Sequence, residues 1–194
     1  MCPVKKQPEK TARTKRDFID AFWQLYAQTP VDRITVASIC QRAGYHRGTF
    51  YLHFHDVYQL LEEEEATLLE DMRACVENCM KRVSGNPGKL AKIAALKDVV
   101  VFYEGNKRAI TTLLGPQGDP SFTPRLKNAL KPLWRHYVVG ECPGRSEQEI
   151  DLILEYTLAG GIFMISRWLE DPGTMSAYEI GHLVYDTAFR QIPL

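Results

Sequence analysis

Apolar side chains along this chain recur at intervals of three and four residues, and no stretch alternates as a half-buried strand would. Phe18, Phe22, Leu25 and Tyr26 share one face of a helix predicted over 10–29, with Pro30 at its exit. A short helix over 36–43 starts after Thr35, an N-cap residue type, and stops at Gly44, where a helix C-terminus takes a left-handed residue. A second short helix is predicted over 46–52. Asp56, with Gln59 three residues on, resembles a capping box opening a long helix that reaches Val83, roughly 42 Å away. Ser84-Gly85-Asn86-Pro87-Gly88 interrupts the pattern. Further helices are predicted over 89–104, 107–114, 123–139, 147–170 and 176–191. The expected fold is all-α: an N-terminal three-helix helix-turn-helix domain over 1–55, then a larger helical domain over 56–194.

Charge sharpens this division. The chain has 194 residues and a formal net charge of zero. Residues 1–55 nevertheless carry nine Lys/Arg against four Asp/Glu, and the remainder carries fifteen against twenty. A basic head on an acidic body points to a polyanionic partner for the head, or to a solvated basic tail. The five cysteines, Cys2, Cys40, Cys75, Cys79 and Cys142, are odd in number and lack a disulfide-framework spacing, which favours a reducing, cytoplasmic setting. No uninterrupted apolar run reaches about 18 residues and no apolar segment follows the basic N-terminus, so neither a membrane span nor a secretory leader is expected.

The informative stretch is 35–54, TVASICQRAGYHRGTFYLHF. Val36, Ile39 and Ala43 give its first helix a small inward face, Phe50 and Phe54 do so for the second, and Phe18, Phe22 and Tyr26 can cover both. Tyr45, His46, Arg47, Gly48, Thr49, Tyr51 and His53 are left largely outward, and none is acidic. Such a face suits the major groove of double-stranded DNA. Arg can fork onto guanine, Thr can meet a thymine methyl, Tyr and His can donate to phosphates, and Gly48 admits the backbone close to the bases. A purely structural helix-turn-helix is the alternative.

The same residues resemble the DNA-binding signature of the TetR family: Thr35-Val36, Ile39, Ala43-Gly44, Thr49-Phe50-Tyr51, His53-Phe54 and Leu60. More loosely, Leu113-Leu114-Gly115, Gly118-Asp119-Pro120-Ser121-Phe122 and Gly160-Gly161-Ile162 with Trp168-Leu169 resemble the C-terminal part of a subfamily common among Firmicutes-type regulators. The resemblance implies that Thr35, Tyr51 and His53 hold phosphates while Tyr45, Arg47, Gly48 and Thr49 face bases, with His46 at the start of the recognition helix. Two positions depart from the family pattern. His46 replaces a small capping residue such as Ser, and Val57 replaces a frequent phosphate-binding Lys.

For the body, the resemblance implies ligand binding and dimerisation. Phe102, Tyr103, Trp134 and Tyr137 are candidates to line an effector pocket, though for each the reading as an ordinary core aromatic is favoured. The helices over 147–170 and 176–191 carry broad apolar faces, and the resemblance implies a four-helix interface between two subunits. Ile153, Leu154, Gly160, Gly161, Ile165, Trp168 and Leu183 are its candidates. Cys75 and Cys79 lie four residues apart and could bind metal or oxidise, but core packing is the favoured reading and no metal site or cofactor is expected. Glu62-Glu63-Glu64-Glu65 reads as a solvated rim. No nucleophile elbow, zinc motif or dinucleotide fingerprint is present, which argues against an enzyme. The function expected is a regulator, by preference a repressor, that binds a palindromic operator as a homodimer under small-molecule control. The alternative is a TetR-like helical regulator that signals through a protein partner.

Overall fold

The computed structural model describes residues 8–83, 89–141 and 144–190, and among them every regular element is a helix. The order is α1 (Pro8–Tyr26), a 3-10 turn (Val31–Arg33), α2 (Val36–Ala43), α3 (Arg47–Phe50), α4 (Val57–Val83), α5 (Lys89–Leu113), α6 (Phe122–Glu141), α7 (Glu147–Glu170) and α8 (Ala177–Arg190). Two compact units divide between residues 67 and 68, inside α4.

The first unit is built around aromatic rings. Phe18, Phe22 and Tyr26 lie at i, i+4 and i+8 on α1 and are fully buried, as are Ile39, Phe50, Phe54 and Leu60. Phe18 meets Phe50 edge-on at 5.3 Å, and Phe50 meets Phe54 at 5.5 Å. These pairs fix α3 against α1 by packing, so four residues hold a helical turn that would be unstable alone. The start of α4 follows from Asp56, whose Oδ1 accepts the Gln59 N–H at 2.8 Å. Its first turns are tied to α1: Lys15 Nζ donates to Glu63 at 2.8 Å and Trp23 Nε1 to Glu64 at 3.2 Å. Burial pushes the Glu64 carboxyl up, offset in part by the Trp23 hydrogen bond. The glutamate run is therefore not the solvated rim its composition suggested. Only Glu62 is exposed, and Glu65 is buried on the stripe that carries Leu61 and Leu68.

In the second unit α7 packs on α6 and α8, and α5 packs on α7 and α8. Gly181 on α8 lets α5 approach closely, since a Cβ there would sit 2.8 Å from Leu96 Cδ1. Serine caps open α7 and α8: Ser146 and Glu149 form a capping box, and Ser176 and Glu179 exchange the same pair of hydrogen bonds. α5 is one helix, where the sequence suggested a break near Gly105-Asn106. A helical glycine costs about 1 kcal/mol without breaking the ladder, and Asn106 Nδ2 donates to the Phe102 carbonyl at 3.0 Å. α6 and α7 are joined by ion pairs of Lys127 with Glu155, Lys131 with Asp151 and Glu155, and Arg135 with Glu147 and Asp151.

α7 explains more than its own packing. Ile150, Leu154, Leu158, Ile162 and Leu169 form its buried stripe. By length and composition it is also the one helix among the described residues apolar enough to cross a membrane, with a mean hydropathy of 1.3 over its best window. The sequence concealed this because the charged Asp151, Glu155 and Arg167 interrupt the run. The excess lies on the face away from the core, where Leu152, Tyr156 and Phe163 are 63%, 75% and 65% exposed. A helix apolar on both sides needs a second cover.

Candidate nucleic-acid interface

α2 and the segment from Tyr45 to Phe54 form the candidate site. Thr35 caps α2 as its residue type suggested: its Oγ1 accepts the Ser38 N–H at 3.1 Å, and Ser38 Oγ accepts the Thr35 N–H at 3.1 Å. Gly44 ends the helix at φ +76°, with its N–H and that of Tyr45 both donating to the Cys40 carbonyl, at 2.9 and 3.0 Å. A side chain at this φ would be strained, so glycine fixes the tight turn between the two helices.

After the turn, His46 is the N-cap of α3 but its side chain makes no capping hydrogen bond, the consequence of His where a small hydroxyl residue would cap. α3 closes after one turn at Phe50. Tyr51 N–H donates to the Arg47 carbonyl at 3.1 Å and His53 N–H to the Phe50 carbonyl at 2.8 Å, which carries the coil through to Phe54. With Phe50 and Phe54 anchored inward, His46, Arg47, Gly48 and Tyr51 are exposed and Thr49 is half-buried at their edge. A Cβ at Gly48 would meet nothing within 4 Å. Tyr51 stands edge-on to Phe50 at 5.8 Å and is more than half exposed. Among the described residues Arg47 has no ion-pair or hydrogen-bond partner, so its guanidinium is free to fork onto a ligand.

Two candidates are placed differently from expectation. Tyr45, expected to be outward and to face bases, is half-buried: its ring packs 5.2 Å from Phe18 and its hydroxyl donates to Asp17 Oδ2 at 2.7 Å. It braces the turn against α1 and its donor is spent. His53 is half-buried, with its ring 6.0 Å from Phe18. Sequence reasoning missed Asp17, one residue before the core Phe18, as the partner of Tyr45. It also missed Leu52 and Tyr58 as exposed neighbours of the recognition segment. Val57, which stands where the family often has a phosphate-binding Lys, is 6% exposed and belongs to the core of the first unit.

In the second unit two of the candidate pocket residues, Trp134 and Tyr103, have different neighbours. Trp134 packs on the cluster of Val138, Ile150 and Leu154, whereas Tyr103 lies 5.4 Å from Trp168 and under Lys107. Their α7 neighbours Leu154 and Trp168 are fourteen residues apart, about 21 Å along the axis. Phe102 is half-buried, and the side chain of Tyr137 is outside the described residues.

The candidate interface residues divide as well. Leu154 is fully buried in its own unit and offers no surface to a partner, whereas Ile153 packs against the same cluster but is only half-buried. A Cβ on Gly161 would make ordinary contact with Val184 of α8 at 3.4 Å, so that position faces α8. Ile165 and Trp168 are half-buried, and Trp168 Nε1 donates to the Met175 carbonyl at 2.8 Å. Gly160 and Leu183 are exposed, with Leu152, Tyr156 and Phe163 completing the α7 face at steps of three and four residues. Those last three were legible as a second apolar stripe, hidden behind the stronger first one.

Two family models match the chain. Bacterial regulatory proteins of the tetR family cover residues 18–63, and a transcriptional regulator C-terminal region covers residues 93–189. The chain is similar in structure to a TetR transcriptional regulator from Streptococcus agalactiae 2603V (21% identity, 93% of this chain and 96% of that one, TM-score 0.64). It is similar to NalD, the secondary repressor of the MexAB-OprM multidrug efflux pump in Pseudomonas aeruginosa (20%, 94% and 96%, TM-score 0.68). A third similar structure is the fatty acid degradation regulator FadR from Bacillus halodurans (15%, 97% and 98%, TM-score 0.63). No curated protein sequence matches significantly.

Proposed function

The chain belongs to the TetR family of transcriptional regulators, DNA-binding proteins rather than enzymes, and from that premise we propose that it is a cytoplasmic repressor binding a palindromic operator as a homodimer under effector control. One observation carries the DNA reading. The face formed by His46, Arg47, Gly48 and Tyr51 is exposed, free of acid and held rigid by the rings of Phe18, Phe50 and Phe54. In this reading Arg47 forks onto a guanine, Gly48 and Thr49 lie against base edges, and Thr35, Tyr51 and His53 meet phosphates. Tyr45 holds the turn through Asp17. Domain roles follow: the head up to about residue 55 binds DNA, and the helical remainder binds effector and partner.

Dimerisation uses the outer face of α7, with Leu152, Tyr156, Gly160 and Phe163, joined by Leu183 of α8. Its support is the apolar excess of α7, which would be a liability on a free monomer. Two recognition segments related by a two-fold axis then read half-sites about one DNA turn, roughly 34–36 Å, apart. That NalD is described as a repressor supports the direction of regulation. A second reading, in which the signal is a protein partner, draws on the different neighbours of Tyr103 and Trp134. Titrating the protein onto its own upstream DNA tests the proposal. A saturable, symmetric footprint whose affinity falls steeply with salt is expected; binding equal to that of unrelated duplex DNA refutes it. If operator affinity responds to a purified protein and to no small molecule, the second reading holds.

A further inference from the structure

Cys75 and Cys79 sit one turn apart on α4, both half-buried. They face the same stretch of α5. The Cys75 thiol lies 3.9 Å from the Asp98 carbonyl oxygen, the Asp98 carboxylate acts on both thiols, and Arg82 pairs with Asp98 one turn further on. We propose that these two thiols form a binding site for a monovalent thiophilic cation of filled d shell, Cu(I) being the ion to test.

Geometry separates this from the two usual fates of paired cysteines. A disulfide needs its Cβ atoms about 3.5–4.5 Å apart, whereas residues four apart on a helix hold theirs at about 5–6 Å. Direct bonding would require α4 to unwind. A single bridging ion instead sets the sulfurs about two metal–sulfur bonds apart, roughly 4.6 Å for bonds near 2.3 Å, which the helical spacing accommodates. Zinc is the other candidate, and it takes four ligands in a structural site. Among the described residues no group of three or more His, Cys, Asp and Glu is arranged to hold a metal, so nothing completes a tetrahedron around the pair. Thiolates favour Cu(I), zinc and iron–sulfur clusters, and of these Cu(I) is the ion satisfied by two soft sulfurs.

The balance of the step is simple. Two S–H bonds break, two S–Cu bonds form, two protons leave to solvent and no electron moves. The bis-thiolate complex carries one negative charge beside Arg82. Burial pushes both thiols up, Cys79 to about 11, so both are protonated at neutral pH and both protons must be displaced. Affinity should therefore rise about a hundredfold per pH unit between pH 6 and 8.

The site lies in the second unit and does not rest on the DNA reading. The test is competition for Cu(I) against the chromophoric chelator bicinchoninate, under anaerobic reducing conditions. It uses the full chain carrying Cys2→Ser and Cys142→Ser, in which the only other thiol is the core residue Cys40. Expected are one Cu(I) per chain, two-sulfur coordination by X-ray absorption, the pH slope above, and no competitive binding of Zn(II). Cys75→Ser and Cys79→Ser should each weaken binding at least tenfold with an unchanged circular dichroism spectrum, which also shows that the variants fold. Substoichiometric uptake, a pH slope of one proton, or affinity retained in either serine variant overturns the proposal.

Discussion

Phe163→Asp should separate the subunits without unfolding them. Phe163 is 65% exposed on the outer face of α7. An aromatic side chain buries about 150–250 Å² when fully covered, so covering the exposed part of Phe163 removes about 130 Å² from water. At about 25 cal/mol per Å² this is roughly 3 kcal/mol per copy, and a two-fold interface contains it twice. Association recovers only part of such area, so a loss of about 3–6 kcal/mol per dimer is the working range, or roughly 10²–10⁴-fold in Kd. Sedimentation equilibrium of wild type and variant at nanomolar to micromolar protein measures it. Far-UV circular dichroism should be unchanged, because the ring takes no part in the core. Leu154→Ala is the opposite control: it empties a fully buried position and should cost about 2–5 kcal/mol of protomer stability. Equal dimer constants for wild type and Phe163→Asp would refute the assignment of this face, and wild type that is monomeric at micromolar concentration would refute the dimer.

Arg47→Ala should cost about 1–3 kcal/mol of operator affinity and relax preference at one position per half-site; a uniform loss on every sequence would make Arg47 a phosphate contact instead. Val57→Lys removes a buried side chain and should lower stability by about 1.5–3 kcal/mol while leaving the salt slope of DNA binding unchanged. A slope steeper by about 0.9 per subunit at unaltered melting temperature would place position 57 on the DNA after all. Asp56→Ala should cost about 1 kcal/mol at neutral pH, because the Asp56 carboxylate caps α4. The Gln59 N–H chiefly, and then His55, hold the Asp56 carboxyl below its ordinary value of 3.8. Its contribution is therefore full above that value and is lost as pH falls through the lower folded-state value. Urea melts of both proteins from pH 7 to pH 2.5 should show the gap narrowing toward the acid end, and a gap unchanged over that range would contradict the charge-dependent cap.

The head was legible because its signals are local. Thr35, Gly44 and Asp56 each act on backbone groups within four residues, and the Phe18, Phe22 and Tyr26 periodicity names its own buried face. What escaped was decided by neighbours distant in sequence. Tyr45 is half-buried because Asp17 and Phe18 on another helix claim it. Glu63, Glu64 and Glu65 read as a charge run until Lys15, Trp23 and the core place them. α7 presented two superposed apolar stripes, and periodicity alone could not say which was inside; the stripe with Leu154 took the core and left Tyr156 and Phe163 outside. The aromatic residues of α5 and α6 were grouped by the family resemblance alone, which does not say that Tyr103 packs on Trp168 and Trp134 on the Val138 cluster.

Selection of bound sequences from a pool of random duplex DNA, with the purified wild-type protein at near-physiological salt, tests the central claim most directly. The account predicts enrichment of a palindrome whose half-sites lie about one helical turn apart, with the information at one position per half-site lost for Arg47→Ala. A pool that stays random, or a single unpaired site bound with the same preference by wild type and Arg47→Ala, would contradict it.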